Sequence, residues 1–215
     1  MQAAELPPRP IGPSPTVWRR VRRPLRIAVL ALTLAYAVRA LLFEPYTVPT
    51  PSMTPTIMPG DHILVDKTAY GYRTHSLPFV TLPWLGVAPR LPRRGDVAVF
   101  ADPSGGESFF VKRVVALPGD TVTGLPTGIS VNGSLLRGQR ERPVPAISFE
   151  TRTVPERHIF VAGDNAAISR DSRLSRAEGG LGFVPVSLLV GRASHVLLPA
   201  PREGADRISR IGALR

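Results

Sequence analysis

No cysteine occurs among the 215 residues, which excludes disulfides, thiolate metal sites and a cysteine nucleophile. Lysine is almost as scarce: of 27 basic side chains only Lys67 and Lys112 are lysines. A lysine kept in so arginine-biased a chain points to work that a permanently charged guanidinium cannot do. Histidine is sparse as well, and His62, His75, His158 and His195 lack the i,i+3 or i,i+4 spacing of a helical metal site. There is no P-loop, no Gly-x-Gly-x-x-Gly and no internal repeat, so no metal, nucleotide or other cofactor is expected.

What the chain has in quantity is proline and glycine, 24 and 19 residues. That is too many for a helical bundle and too irregular for collagen. They are mixed with enough Val, Ile, Leu and Phe to build one sizeable core. A single β-rich main domain follows. Short runs of β-branched and aromatic residues place strands at Ile63 to Val65, Asp96 to Phe100, Phe109 to Leu117, Ile129 to Val131, Ser134 to Leu136, Ile159 to Ala162 and Val190 to Leu198. Asn132-Gly133 between two of them fits the positive φ angles of a type I′ hairpin turn. The stretch from Ser76 to Leu91 is apolar but has no period, and reads either as a loop entering a lipid interface or as one packed on the core.

The net charge of +11 is unevenly spread. Six arginines and one glutamate lie in residues 1–26, and the chain after Phe43 is only mildly basic. Arginines scattered through loops, without an aromatic reading face, argue against nucleic acid as a partner. From Leu25 to Phe43 runs LRIAVLALTLAYAVRALLF, which as a helix is about 28 Å long, enough to span a hydrocarbon core of about 30 Å. Arg26 and Arg39 lie near its ends, where long side chains reach the headgroups, and Glu44-Pro45 is expected to close the helix. The cluster Arg19, Arg20, Arg22, Arg23 puts the N-terminus in the cytoplasm and the main domain across the membrane. The competing reading is a signal peptide cut after Ala35-Tyr36-Ala37. The apolar run continues past that point, where a polar region should begin.

Three segments carry groups suited to chemistry. In Thr50-Pro51-Ser52-Met53-Thr54-Pro55, prolines hold a serine in a restricted backbone, either as a positioned nucleophile or as a solvated turn. On the strand from Phe109 to Leu117, Lys112 shares a face with Phe110, Val114 and Ala116. Burial there would bring a lysine pKa from about 10.4 toward 7 or 8, leaving a neutral amine able to accept a proton; a snorkelling edge-strand lysine is the alternative. In the loop from Gly163 to Arg173, Asp171 and Arg173 suit an ion pair that braces the chain around Ser169. Asp102-Pro103-Ser104-Gly105-Gly106 is similar to the serine box of trypsin-like proteases, but a proline stands beside the serine and the order differs, so a turn is expected.

Together and in this order, the three segments resemble the bacterial type I signal peptidases, membrane-bound serine proteases that remove signal peptides from exported proteins. The resemblance runs from Glu44-Pro45-Tyr46 through Pro51 to Thr56, Gly60-Asp61, Arg94-Gly95-Asp96-Val97 and Lys112 to Asp120. It continues through Gly163-Asp164-Asn165, Ser169 to Arg173 and Gly182 to Ala193. It implies that Ser52 is the nucleophile and Lys112 its general base, that the Ser52 N–H and Thr50 hydroxyl form the oxyanion hole, and that Ser169 orients the amine while Asp171 and Arg173 support its loop. Val48, Met53, Phe110 and Val111 fall where the family shapes its small-residue pockets, implying cleavage after Ala-x-Ala. Ala166-Ala167-Ile168 departs from the family's usual Arg-Asp-Asn.

The implied fold is mainly β: an antiparallel catalytic domain with a smaller inserted β subdomain, preceded by one transmembrane helix. The expected divisions are a basic cytoplasmic tail (1–24), a membrane helix (25–43), the catalytic domain (44–123 and 156–200), the insertion (124–155) and a loose polar tail (201–215). The implied partners are signal peptides of exported preproteins and the lipid bilayer, and the implied location is the bacterial inner membrane. Two rivals remain: a peptidase dedicated to maturing a pilin or conjugation factor, and an inactive membrane-tethered peptide-binding β domain.

Overall fold

The computed structural model describes residues 15–72, 90–136, 147–201 and 208–214. His75 and almost all of the apolar stretch from Ser76 to Leu91 lie outside them. The chain divides into two units, Met1–Arg39 and Ala40–Arg215. The described residues of the first form one helix, α1, whose full extent is Pro15–Leu41. Its Val21–Leu41 portion, with mean hydropathy 1.6, is long and apolar enough to cross a membrane. The helix ends before the expected closure at Glu44-Pro45. Phe43–Thr47 already forms strand β1, and Pro45, which has no N–H to give a ladder, is tolerated because β1 lies at the sheet edge.

The second unit is built on antiparallel strands. β2 (His62–Asp66), β3 (Val97–Ala101), β4 (Phe109–Ala116), β9 (His158–Ala162), β10 (Val184–Pro185) and β11 (Leu189–Leu198) join β1 in the order β1-β2-β11-β3-β4-β9-β10. β5 (Thr121–Leu125), β6 (Gly128–Val131), β7 (Ser134–Leu135) and β8 (Phe149–Thr153) make a second sheet in the order β7-β6-β5-β8. Asn132 and Gly133, with φ of 51° and 78°, turn β6 into β7 as the hairpin reading requires. The second sheet starts at Thr121, and Gly124, where the insertion was expected to begin, lies inside β5. Between β4 and β5, Asp120 accepts from Arg94 Nε at 2.9 Å, Leu117 N and Asn132 Nδ2 at 2.8 Å each. Burial pushes this carboxyl up, but those donors prevail and hold its pKa at about 2.

The core has three parts. One gathers Met53, Ile57, Val65, Val99 and Val190; a second gathers Phe100, Val114, Ile159 and Leu189. A third, with Phe160, Ala116, Val122, Ile129 and Phe149, joins the two sheets. The C-terminal segment was expected to be loose; its described part, 208–214, is tied back. Strand β12 (Gly212–Ala213) pairs with β11, and Arg210 forms an ion pair with the fully buried Asp61. A buried carboxylate needs a cationic partner, and Arg210 supplies it.

Candidate active site

Pro51 opens a short 3-10 turn, Pro51–Met53, a position that suits its fixed φ and missing N–H. The turn buries Ser52 beside β4, which carries Lys112 opposite Ala98 of β3. Lys112 Nζ lies 2.8 Å from Ser52 Oγ and donates to Val111 O at 3.1 Å. Thr50 Oγ1 is 3.2 Å from the same Ser52 oxygen. Only 7% of Ser52 and 4% of Lys112 are exposed. Burial pushes the Lys112 amine down to about 8; nearby Asp171 works against that and Arg173 works with it. The Phe110 ring centroid is 5.8 Å from Nζ.

β9 pairs with β4, Arg113 facing Ala162, so the chain leaving β9 enters the loop Gly163-Asp164-Asn165 next to the lysine strand. Asn165 N donates to Ser52 O at 3.0 Å and Asn165 Nδ2 to Pro51 O at 3.2 Å. Asp164 accepts from Arg113 Nε at 2.8 Å and from Thr56 Oγ1 at 2.5 Å. One loop thus ties the serine segment to the lysine strand. Asp164, Asn165 and Arg113 were not given roles from the sequence, although each stands in a segment singled out there. An acid in the Gly-Asp-Asn loop and an arginine next to the lysine were the available signal.

Asp171 and Arg173, 1% and 3% exposed, form a bidentate pair, with Arg173 Nε and Nη2 each 2.8 Å from a carboxylate oxygen. Asp171 also accepts from Gly163 N at 2.9 Å, and Arg173 donates to Ala166 O at 3.0 Å. The loop is braced through a backbone carbonyl that any residue provides, which is how it accommodates Ala166-Ala167-Ile168. Ser169 is buried nearby, but its hydroxyl has no hydrogen-bond partner among the described residues, so the implied contact with the amine is not made. Its Oγ and Ser52 O lie 2.2 and 2.5 Å from the position a Cβ on Gly163 would occupy. Of the residues implied for the pockets, Val48, Met53 and Val111 share one core cluster, whereas Phe110 packs with a second, stacked on Phe100 at 5.9 Å.

Asp102 accepts from Ser104 N at 2.7 Å, the expected turn. His62, His158 and His195 all lie on strands. No cluster of acidic and histidine side chains able to hold a metal occurs among the described residues.

The model of the family described as signal peptidase, peptidase S26, matches residues 21–198. The chain belongs to this family. Membership makes it an enzyme, a serine peptidase of the signal-peptidase class. The family's signal peptidase I from Pseudomonas aeruginosa is 34% identical over 219 residues, covering 85% of this chain and 75% of that protein. The signal peptidase I of Rickettsia typhi is 29% identical, over 83% of this chain and 80% of its own. Among solved structures, a signal peptidase I from Enterococcus faecalis V583 aligns with a TM-score of 0.40 at 29% identity, covering 50% of this chain and all of that one.

Proposed function

We propose that the enzyme cuts signal peptides from exported preproteins after small residues of the Ala-x-Ala type, with Ser52 as nucleophile and Lys112 as general base. The reading rests on the 2.8 Å separation of Lys112 Nζ and Ser52 Oγ in a dry site. Neutral Lys112 takes the Ser52 proton as Oγ attacks the scissile carbonyl. The Ser52 N–H and Thr50 hydroxyl stabilise the oxyanion. The ammonium then protonates the leaving amine, and water, activated by the same amine, releases the acyl group. Ser169, with its spare hydroxyl beside the Ser52 segment, is assigned to the ammonium formed during the cycle, and Asp171 with Arg173 to bracing that loop. Val48, Met53, Phe110 and Val111 are assigned to the walls that admit only small side chains.

The helix α1 anchors the protein in the bacterial inner membrane as a single pass, with the arginine-rich N-terminus cytoplasmic and the β domain on the far side. The test is processing of a model preprotein in detergent. The wild type should release the mature protein, Ser52→Ala should release none while remaining folded, and Lys112→Arg should be nearly inactive although it keeps the charge. Substantial cleavage by the arginine variant would remove Lys112 from the base role.

A further inference from the structure

Lys67, the other of the two lysines, takes no part in that chemistry, yet it is as dry as Lys112, with 2% of its side chain exposed. It stands one residue beyond β2. Its Nζ lies 2.7 Å from Glu44 Oε2 and donates to Ala40 O at 3.3 Å, and its backbone N–H donates to Leu42 O at 2.9 Å. Tyr72 Oη donates to Leu41 O at 2.8 Å. These are the carbonyls that the end of an α-helix leaves without intrahelical partners. All three are taken by the single segment from Lys67 to Tyr72.

The slot also accounts for lysine. It offers Nζ one carboxylate oxygen and one carbonyl; a guanidinium would bring five N–H donors to the same two acceptors. Glu44 is only eight residues before Ser52 and pairs in β1 with Val65. Tyr46, on the same side of β1 as Glu44, donates to its carboxylate at 3.4 Å and meets Phe109, the first residue of the lysine strand, edge-on at 5.4 Å. The chain from Ala40 to Ser52 is therefore pinned at its start, not left as a flexible tether.

We infer that Lys67, acting with Glu44 and Tyr72, is a positioning residue that sets the reach from Ala40–Leu42 to Ser52 and so selects which bond of a membrane-inserted substrate is cut. This rests on the function proposed above. The substrates recognised this way are those held in the bilayer by their own apolar segment; a short soluble peptide has no such reference point and does not sense the pin.

The experiment compares the full-length enzyme and its Lys67→Met, Lys67→Arg and Tyr72→Phe variants in phosphatidylethanolamine and phosphatidylglycerol vesicles. One substrate is a preprotein inserted in the same vesicles with two successive Ala-x-Ala sites, the other a soluble peptide bearing one site. On the peptide, kcat/KM of every variant should stay within about twofold of wild type, which also reports that each is folded. On the inserted preprotein, Lys67→Met should lose about tenfold or more and spread its cuts over both sites. Lys67→Arg should not restore wild-type behaviour, and Tyr72→Phe should show the same spread, more weakly. Equal losses on both substrates would make Lys67 merely structural, and unchanged rate and cut position on the preprotein would remove it from positioning; either overturns the inference. Failure of the function reading is separately visible, as a wild type that cuts neither substrate or a Ser52→Ala variant that still cuts the peptide.

Discussion

An ammonium is expensive to bury, and the Lys112 amine at about 8 records that cost. Two expectations follow at this residue. Cleavage should rise with pH as the neutral amine becomes populated and level off above about 8, in a pH profile of kcat/KM on a soluble peptide. Lys112→Met should be inactive yet more stable. The folded-state pKa lies below the ordinary 10.5, so between about 8 and 10.5 the unfolded chain binds more protons than the folded one. Wild-type stability then rises with pH across that window, and below it the full penalty is present, roughly 3 kcal/mol from the size of the shift. Urea unfolding in detergent should show the methionine variant ahead at pH 7, with its lead shrinking towards pH 10. An advantage that does not change with pH would mean that the amine is not the source.

The individual elements explain why two groups 60 residues apart in the chain meet. β9 follows β4 in the sheet order, so the loop after β9 emerges beside Lys112 and there grips Pro51, Ser52 and Thr56. Gly163 is the tight point of this clamp. Gly163→Ala would drive a methyl to 2.5 Å from the Ser52 carbonyl oxygen, which is backbone and cannot swing away as a side chain can. The loop or the serine turn must shift, and a displacement of about 1 Å at a catalytic group costs on the order of a hundredfold in rate. Peptide cleavage should fall by about that much with the circular dichroism spectrum unchanged; a near wild-type rate would show that the clamp does not set the geometry. Disrupting the buried Asp171–Arg173 pair is a different event. Arg173→Met leaves a carboxylate unpaired in the core, and about 3–5 kcal/mol of stability should be lost in denaturant titration.

For the whole molecule, the charge asymmetry and α1 carry the topological expectation. The enzyme should resist extraction from membranes at alkaline pH, and in right-side-out membranes of its host an epitope at the C-terminus should be open to protease while one at the N-terminus is shielded. The reverse pattern would invert the proposed orientation. The apolar run and the arginines before it are legible because membrane insertion depends on composition over a long stretch. The main strands were equally legible, since β-branched runs between turn residues declare themselves. Less visible were β1, with its Glu-Pro, and β8, a mostly polar Phe149–Thr153 whose pattern is exposed at three of five positions. In both, pairing with a neighbour outweighs local preference. The tie at Arg210 is hidden for the same reason: it reads as surface charge until Asp61, far away in sequence, is seen buried beneath it.

The order of residues was enough to specify a β-rich domain behind an apolar helix, and to single out a proline-held serine and a lysine on an apolar strand face. Those properties are local, set by backbone restriction, side-chain alternation and the length of an apolar run. Folding alone could dry the lysine, bring it within 2.8 Å of the serine and tie the Gly163–Asn165 loop to the serine segment. Desolvation and hydrogen bonding depend on which distant strands become neighbours, and that is a property of the assembled sheet. The same holds for Lys67: the scarcity of lysine was plain from composition, but its contacts with Glu44, Ala40 and Leu42 emerged only once β1 and β2 had paired.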